Sequence, residues 1–197
     1  MNQMTLLAMA IMFSTSVLTV NAASTGTVNF KGRVTGSTCN VNVDGQGADA
    51  TVMLPTVPAT ELASAGDTTG RTSFVMTLTD CSLHLTPPTD DNEGYWSESY
   101  VSAYFQAGAT VDSNTGRLKQ TTASGAENVS LQLRDGTNNN VIVAGSQMQR
   151  TNNYFADIDV NNQGEEIKLP YAVEYYAEDA TTSGIVTSSV VYNLQYK

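Results

Sequence analysis

The nine residues Ser189–Lys197 (SVVYNLQYK) constrain the fold more than any other stretch. Val190, Tyr192, Leu194 and Tyr196 share one parity, and Ser189, Asn193 and Gln195 share the other. Such period-2 alternation reads as a strand with one buried face. As the last strand of the chain it has no later strand to pair with, and an apolar strand with an open edge invites aggregation unless something covers it. Two readings follow. The strand is tucked inside an ordinary β-sandwich, or its edge is meant for a strand from another chain.

The start of the chain does not belong to that fold. Thr5–Val20 is apolar and uncharged, and Val20-Asn21-Ala22 has the small-x-small pattern of a signal peptidase site, although no Lys or Arg precedes it. A secretory signal is therefore read over residues 1–22, with Ala23 as the alternative last residue. The apolar run is short for a membrane anchor. Removing 22 residues from 197 leaves 175, the size of one domain able to bury a core.

The formal net charge of −10 falls wholly outside the uncharged signal segment. Nucleic acid is excluded as a partner on that ground, since no basic patch is available to neutralise phosphates. Cys39 and Cys81 are the only cysteines, 42 positions apart in a chain bound for an oxidising compartment. They read as a disulfide; a metal pair or redox dithiol would call for CxxC spacing or nearby histidines.

Along the chain, short alternating runs follow one another. The segment 23–34 reads as a half-buried strand with glycines at two inward positions, followed by Cys39–Val43, a turn at Asp44–Gly47 and a short strand at Thr51–Leu54. A single helical turn is expected near Glu61-Leu62. Ser73–Asp80 carries Phe74, Met76 and Leu78 on one face, and Leu83–Tyr95 reads as a loop. Further strands are expected at Val101–Gln106, Arg117–Thr121, Val129–Leu133, Val141–Val143 and Ile167–Tyr175. Pro170 inside the last of these points to an edge position or a bulge. Asn161–Gly164 and Asp179–Gly184 read as turns. Nine or ten short strands with almost no helix indicate an antiparallel sandwich of immunoglobulin-like layering.

No catalytic set accompanies that scaffold. His84 is the single histidine and lies in a Pro-rich loop, so a Ser-His-Asp arrangement has no independent support. Asp90, Asp91 and Glu93 lack the alternation and central glycine of a calcium loop, and Glu165-Glu166 reads as a charged turn. Tyr95, Trp96, Tyr100, Tyr104 and Phe105 could form a sugar-stacking platform, but core packing and loop cover are the favoured reading. No enzyme activity, metal or cofactor is expected.

The stretch Gly26-Thr-Val-Asn-Phe-Lys-Gly-Arg-Val34, Cys39 five positions on, a second cysteine at 81 and a penultimate Tyr196 together resemble the chaperone–usher pilins of Gram-negative bacteria. The stretch Val41–Val52 and the block Ala123–Leu133 are most similar to the major shaft subunit of type 3 pili. Type 1 shaft subunits come next, with Leu169-Pro-Tyr171 resembling their penultimate long strand. The resemblance covers essentially the whole chain after the signal.

It implies an all-β, incomplete immunoglobulin-like antiparallel β-sandwich, residues 35–197, completed by a donor strand from another subunit. The donor is the N-terminal extension, residues 23–34, with Ser24, Gly26, Val28, Phe30 and Gly32 in register. The resemblance further implies a periplasmic chaperone that lines up with Val190, Tyr192, Leu194 and Tyr196 and grips the carboxylate of Lys197. An outer-membrane usher then replaces the chaperone with the next pilin subunit. The expected product is a surface fimbria that meets a host or abiotic surface. A minor adaptor or terminator pilin would keep the same groove, and a free-standing secreted carbohydrate-binding sandwich would need no partner strand.

Overall fold

The computed structural model describes residues 27–30, 38–82, 100–158 and 165–197. The chain divides into two compact units, Met1–Val34 and Thr35–Lys197. In the first, Thr27–Phe30 has no regular secondary structure, and Val28 and Phe30 are 73% and 93% exposed. The half-buried strand expected there is thus not formed at the described positions. Alternation tells which side chains share a face, not whether that face is covered.

The second unit contains β1 (Thr38–Val43), β2 (Thr68–Ser82), β3 (Tyr100–Phe105), β4 (Leu118–Lys119), β5 (Val129–Asp135) and β6 (Val141–Ile142). Then follow a one-turn helix α1 (Gln149–Asn152), β7 (Ala156–Asp157), β8 (Ile167–Ala177) and β9 (Tyr192–Tyr196). The larger sheet runs β1-β2-β8-β5-β4, with β6 also on β5; the smaller runs β7-β3-β9. All pairings are antiparallel.

Alternation decides what enters the core. On β2, Phe74, Met76 and Leu78 are 7%, 1% and 0% exposed. Tyr171 of β8 sits at the centre, 5.7 Å from the Phe74 ring and 5.1 Å, edge-on, from Phe105 of the opposite sheet. Burial pushes its phenol up, while the N–H of Ala103 donates to its oxygen at 3.0 Å. A large aromatic contributes burial over its whole ring, and its buried hydroxyl must find a partner.

Pro170 requires a correction. β8 is a central strand, between β2 and β5, and the register irregularity against β2 lies at Thr69/Thr72 instead. Proline is accommodated because no ladder bond is lost there. The N–H and C=O of its β2 partner Val75 both turn away, to Asp44, and β5 ends one position short of Pro170, at the Asp135–Tyr171 pair. The Pro170 carbonyl accepts from Gly136 at 2.9 Å. A Cβ on Gly136 would lie 2.7 Å from the Pro170 carbonyl carbon, so the turn after β5 can close only with glycine.

Cys39 and Cys81 are joined across β1 and β2 with their Cα atoms 4.0 Å apart. The register slips there, between Thr38–Ser82 and Asn40–Thr79, and Asp80 takes up the slip with a φ of +50°. Its carboxylate accepts from the Asn40 amide at 3.0 Å. The covalent loop contributes roughly 4 kcal/mol in a chain-entropy model.

Other expectations shift in extent. The helical turn forms at Ala59–Leu62, and β5 and β6 pair across the 135–140 turn. β4 shrinks to Leu118–Lys119, and β9 begins at Tyr192, not Ser189. Thr51–Leu54, expected as a short strand, joins no ladder among the described residues, with Pro55 and Pro58 following at once. Neither α1 nor β7 was legible. The 83–95 loop and the 161–164 turn lie outside the described residues.

Candidate functional site

The smaller sheet has two outer edges, and backbone parity assigns each its residues. Tyr100 and Lys197 exchange N–H···O bonds at 3.0 Å each way, and Gln106 donates to Val191. The even-numbered residues of β3 therefore point their polar groups at β9. Val101, Ala103 and Phe105 point theirs the other way.

β7 satisfies only the first part of that outward edge, and side chains satisfy the rest. The Gln149 amide accepts from the Phe105 N–H at 2.9 Å and donates to the Phe105 carbonyl at 2.9 Å, as a paired strand would. Gly145 adds a second bond to that carbonyl, and Asn153 donates to the carbonyl of Ala103. Gln149 is only 2% exposed. The first helical turn after β6 exists, in effect, to deliver this side chain.

β9 is finished differently. By the same parity the backbone groups of Val190, Tyr192 and Leu194 face away from β3, and among the described residues no strand pairs with that edge. Val190, Tyr192, Leu194 and Tyr196 are half-buried, their side chains packed against the core. Facing this edge is a strap, residues 48–58, that follows the turn after β1. The Tyr192 hydroxyl reaches across and donates to the Ala48 carbonyl at 2.7 Å. Burial, then the nearby Asp49 charge, push that phenol up.

Between strap and edge lies a cavity of about 420 Å³. Its floor is Phe74, Met76, Phe105, Leu131, Leu133 and Val173; its walls are Val52 and Leu54 on one side and Val190 and Tyr192 on the other. This is an apolar trough alongside a row of outward-facing backbone N–H and C=O groups. Chemically it can do one thing well: take an extended chain whose backbone pairs with the edge while alternate side chains fill the trough.

The structure brings only some of the expected residues here. Val190, Tyr192, Leu194 and Tyr196 line up along the edge, and Lys197 bonds to Tyr100 with its ammonium 3.7 Å from the Phe155 ring centre. Ser24, Gly26 and Gly32 lie outside the described residues, as do His84, Asp90, Asp91, Glu93, Tyr95 and Trp96. Of the remaining aromatics, Phe105 is core, Tyr104 donates to Gly145, and Tyr100 is 43% exposed, so they form no shared platform. Glu165 and Glu166 are exposed. Sequence reasoning missed the strap as a wall; the alternation of Val52, Met53 and Leu54 beside two prolines was the available signal.

Comparison with known proteins places this geometry. The family profile described as type-1 fimbrial protein, A, matches residues 54–197. The major fimbrial subunit SMF-1 of Stenotrophomonas maltophilia is 41% identical over 189 residues, covering 94% of this chain and 99% of that protein. The F17 fimbrial protein of Escherichia coli is 34% identical over 172 residues, covering 87% of each.

Among solved structures, a subunit of a chaperone–usher pilus superimposes with a TM-score of 0.54 at 20% identity, over 90% of this chain and 99% of that one. The P pilus rod subunit PapA gives 0.52 at 17%, over 81% and 99%. These two share the fold, an incomplete immunoglobulin-like sandwich. The chain belongs to the type-1 fimbrial protein family, a family of structural pilus subunits.

Proposed function

We propose that this subunit polymerises by accepting, along the β9 edge, the N-terminal extension of the next copy. Residues 1–22 direct export and are removed, residues 23–34 are the donated strand, and residues 35–197 are the acceptor. In the donor, Val28 and Phe30 fill the trough and Gly26 allows close backbone approach, with Ser24 and Gly32 at the ends of the register. Before assembly a periplasmic chaperone strand occupies the same edge, held by the Lys197 carboxylate, and an outer-membrane usher exchanges it for the next subunit. The fibre is then displayed at the cell surface.

The observation that carries this reading is the coincidence at β9. Val190 and Tyr192 turn their backbone groups outward and also line the trough. Whatever pairs with the edge must therefore also bring apolar side chains inward in step. Val28 and Phe30, exposed on their own unit, supply that pattern.

The test is periplasmic expression with and without a pilus chaperone, followed by denaturing gels before and after boiling. A heat-sensitive ladder of multiples with chaperone-dependent yield is expected. A soluble monomer indifferent to chaperone would overturn the reading.

A further inference from the structure

We propose that the Tyr192 hydroxyl is a latch across the trough, whose bond to Ala48 must break before a strand can enter. The inference rests on the strand-acceptor reading above and deepens it. Among the described residues the strap has no ladder partner, and its segment 48–55 is held by side chains alone. Gln46, from the turn before it, accepts from the Thr51 N–H at 3.1 Å and donates to the Thr51 carbonyl at 3.2 Å. Tyr175, from β8 on the larger sheet, donates to Pro55 at 3.2 Å.

Those bonds tie the strap to its own side of the sandwich. The Tyr192–Ala48 bond, at 2.7 Å, runs from the opposite wall. Both residues line the cavity, and Tyr192 belongs to the parity that a partner strand would pair with. An incoming backbone must lie between β9 and the strap, where the phenol now passes. The hydroxyl also stays protonated throughout ordinary pH, since burial and Asp49 both disfavour the phenolate. The latch therefore opens by exchange of partners, not by titration.

Tyr192→Phe keeps the ring and removes the bond. A net neutral hydrogen bond corresponds to about a fivefold effect on an equilibrium or on a barrier that requires its rupture. The experiment compares the mature chain and its Tyr192→Phe variant, each refolded in vitro from denaturant and isolated as the unbound monomer. It follows uptake of a fluorescent synthetic peptide of residues 23–34 by anisotropy, and thermal unfolding with and without the peptide.

Association about fivefold faster in the variant is expected. The unbound variant should melt about 3 °C lower, with little change in the peptide-bound form. Equal association rates and equal unbound melting points would overturn the latch while leaving the acceptor reading intact. Failure of both proteins to take up the peptide would overturn the acceptor reading and the latch with it.

Discussion

β3 and β9 are hydrogen-bonded neighbours in one three-stranded sheet, yet their outer edges are finished in opposite ways. Beyond β7, the β3 edge is closed by the Gln149 amide, by Asn153 and by the Tyr171 hydroxyl, each aimed at a backbone group. The β9 edge faces an apolar trough and, among the described residues, pairs with no strand. Exposed edges are ordinarily blunted because they template pairing with other chains. Here one edge is blunted by side chains of the same domain, while the other keeps its backbone groups and its apolar lining together. The difference separates an edge closed within the domain from one that, on the proposed function, accepts a strand from another copy.

The largest expected effect breaks the comparison at the shared edge from the donor's side. Phe30→Asp should leave the subunit folded and captured by chaperone but abolish fibre growth, since a carboxylate cannot enter the trough unpaired. Fibre lengths by electron microscopy check it, and normal lengths would remove Phe30 from the donor register.

At the sealed edge, the damage should be to folding instead. Gln149→Leu keeps the bulk but orphans the buried N–H of Phe105 and weakens its carbonyl bonding, a loss of about 2–5 kcal/mol by the cost of unsatisfied buried groups. Urea unfolding should show a lower midpoint with little change in slope. Tyr171→Phe removes the partner of the Ala103 N–H and a 3.4 Å contact with the Ser102 hydroxyl, while the ring contacts to Phe74 and Phe105 remain. About 1–3 kcal/mol is expected for it. A null result at both positions would mean that water satisfies the β3 edge, and the contrast with β9 would dissolve.

How much of this was legible follows from what sequence periodicity encodes. The terminal alternation gave the β9 edge and its core-facing residues, because parity fixes side-chain face and backbone direction together. The cysteines at 39 and 81 form the disulfide that their number implied. The sealed edge was invisible: nothing local marks Gln149 as a strand substitute, since its partner Phe105 is 44 residues away. Pro170 misled because the rule against proline concerns lost ladder bonds, and whether one is lost depends on where β5 stops. Thr51–Leu54 showed a strand's alternation without, among the described residues, a strand's partner. The extended conformation is local, but the ladder is not.

A third edge, at β4, sharpens the comparison with the smallest effect. There backbone closes the edge, with Lys119 donating to Thr110 at 2.7 Å, Asp112 to Arg117 at 2.9 Å and Val111 bridging Leu118. A charge clamp runs back across the sheet towards β8. Arg117 makes two 2.8 Å bonds to the Glu178 carboxylate and lies 3.9 Å from the Tyr176 ring centre, and Ser130 donates to the same carboxylate. The Arg117 guanidinium first, and the Ser130 hydroxyl after it, hold Glu178 below the usual carboxylate range, against a partial opposing effect of burial. A carboxyl depressed in the folded state stabilises the fold above its unfolded pKa, about 4.3 for glutamate, and loses that contribution as pH falls through the folded value. With Glu178 42% exposed, solvent screening limits the pair to below about 1 kcal/mol. Comparing Glu178→Gln with the parent by urea unfolding at pH 7 and pH 3, the parent should lose slightly more stability on acidification. The gap should narrow in high salt. A gap as large as that expected for Gln149→Leu would mean that an exposed charge pair stabilises this fold as much as the buried amide that closes the β3 edge.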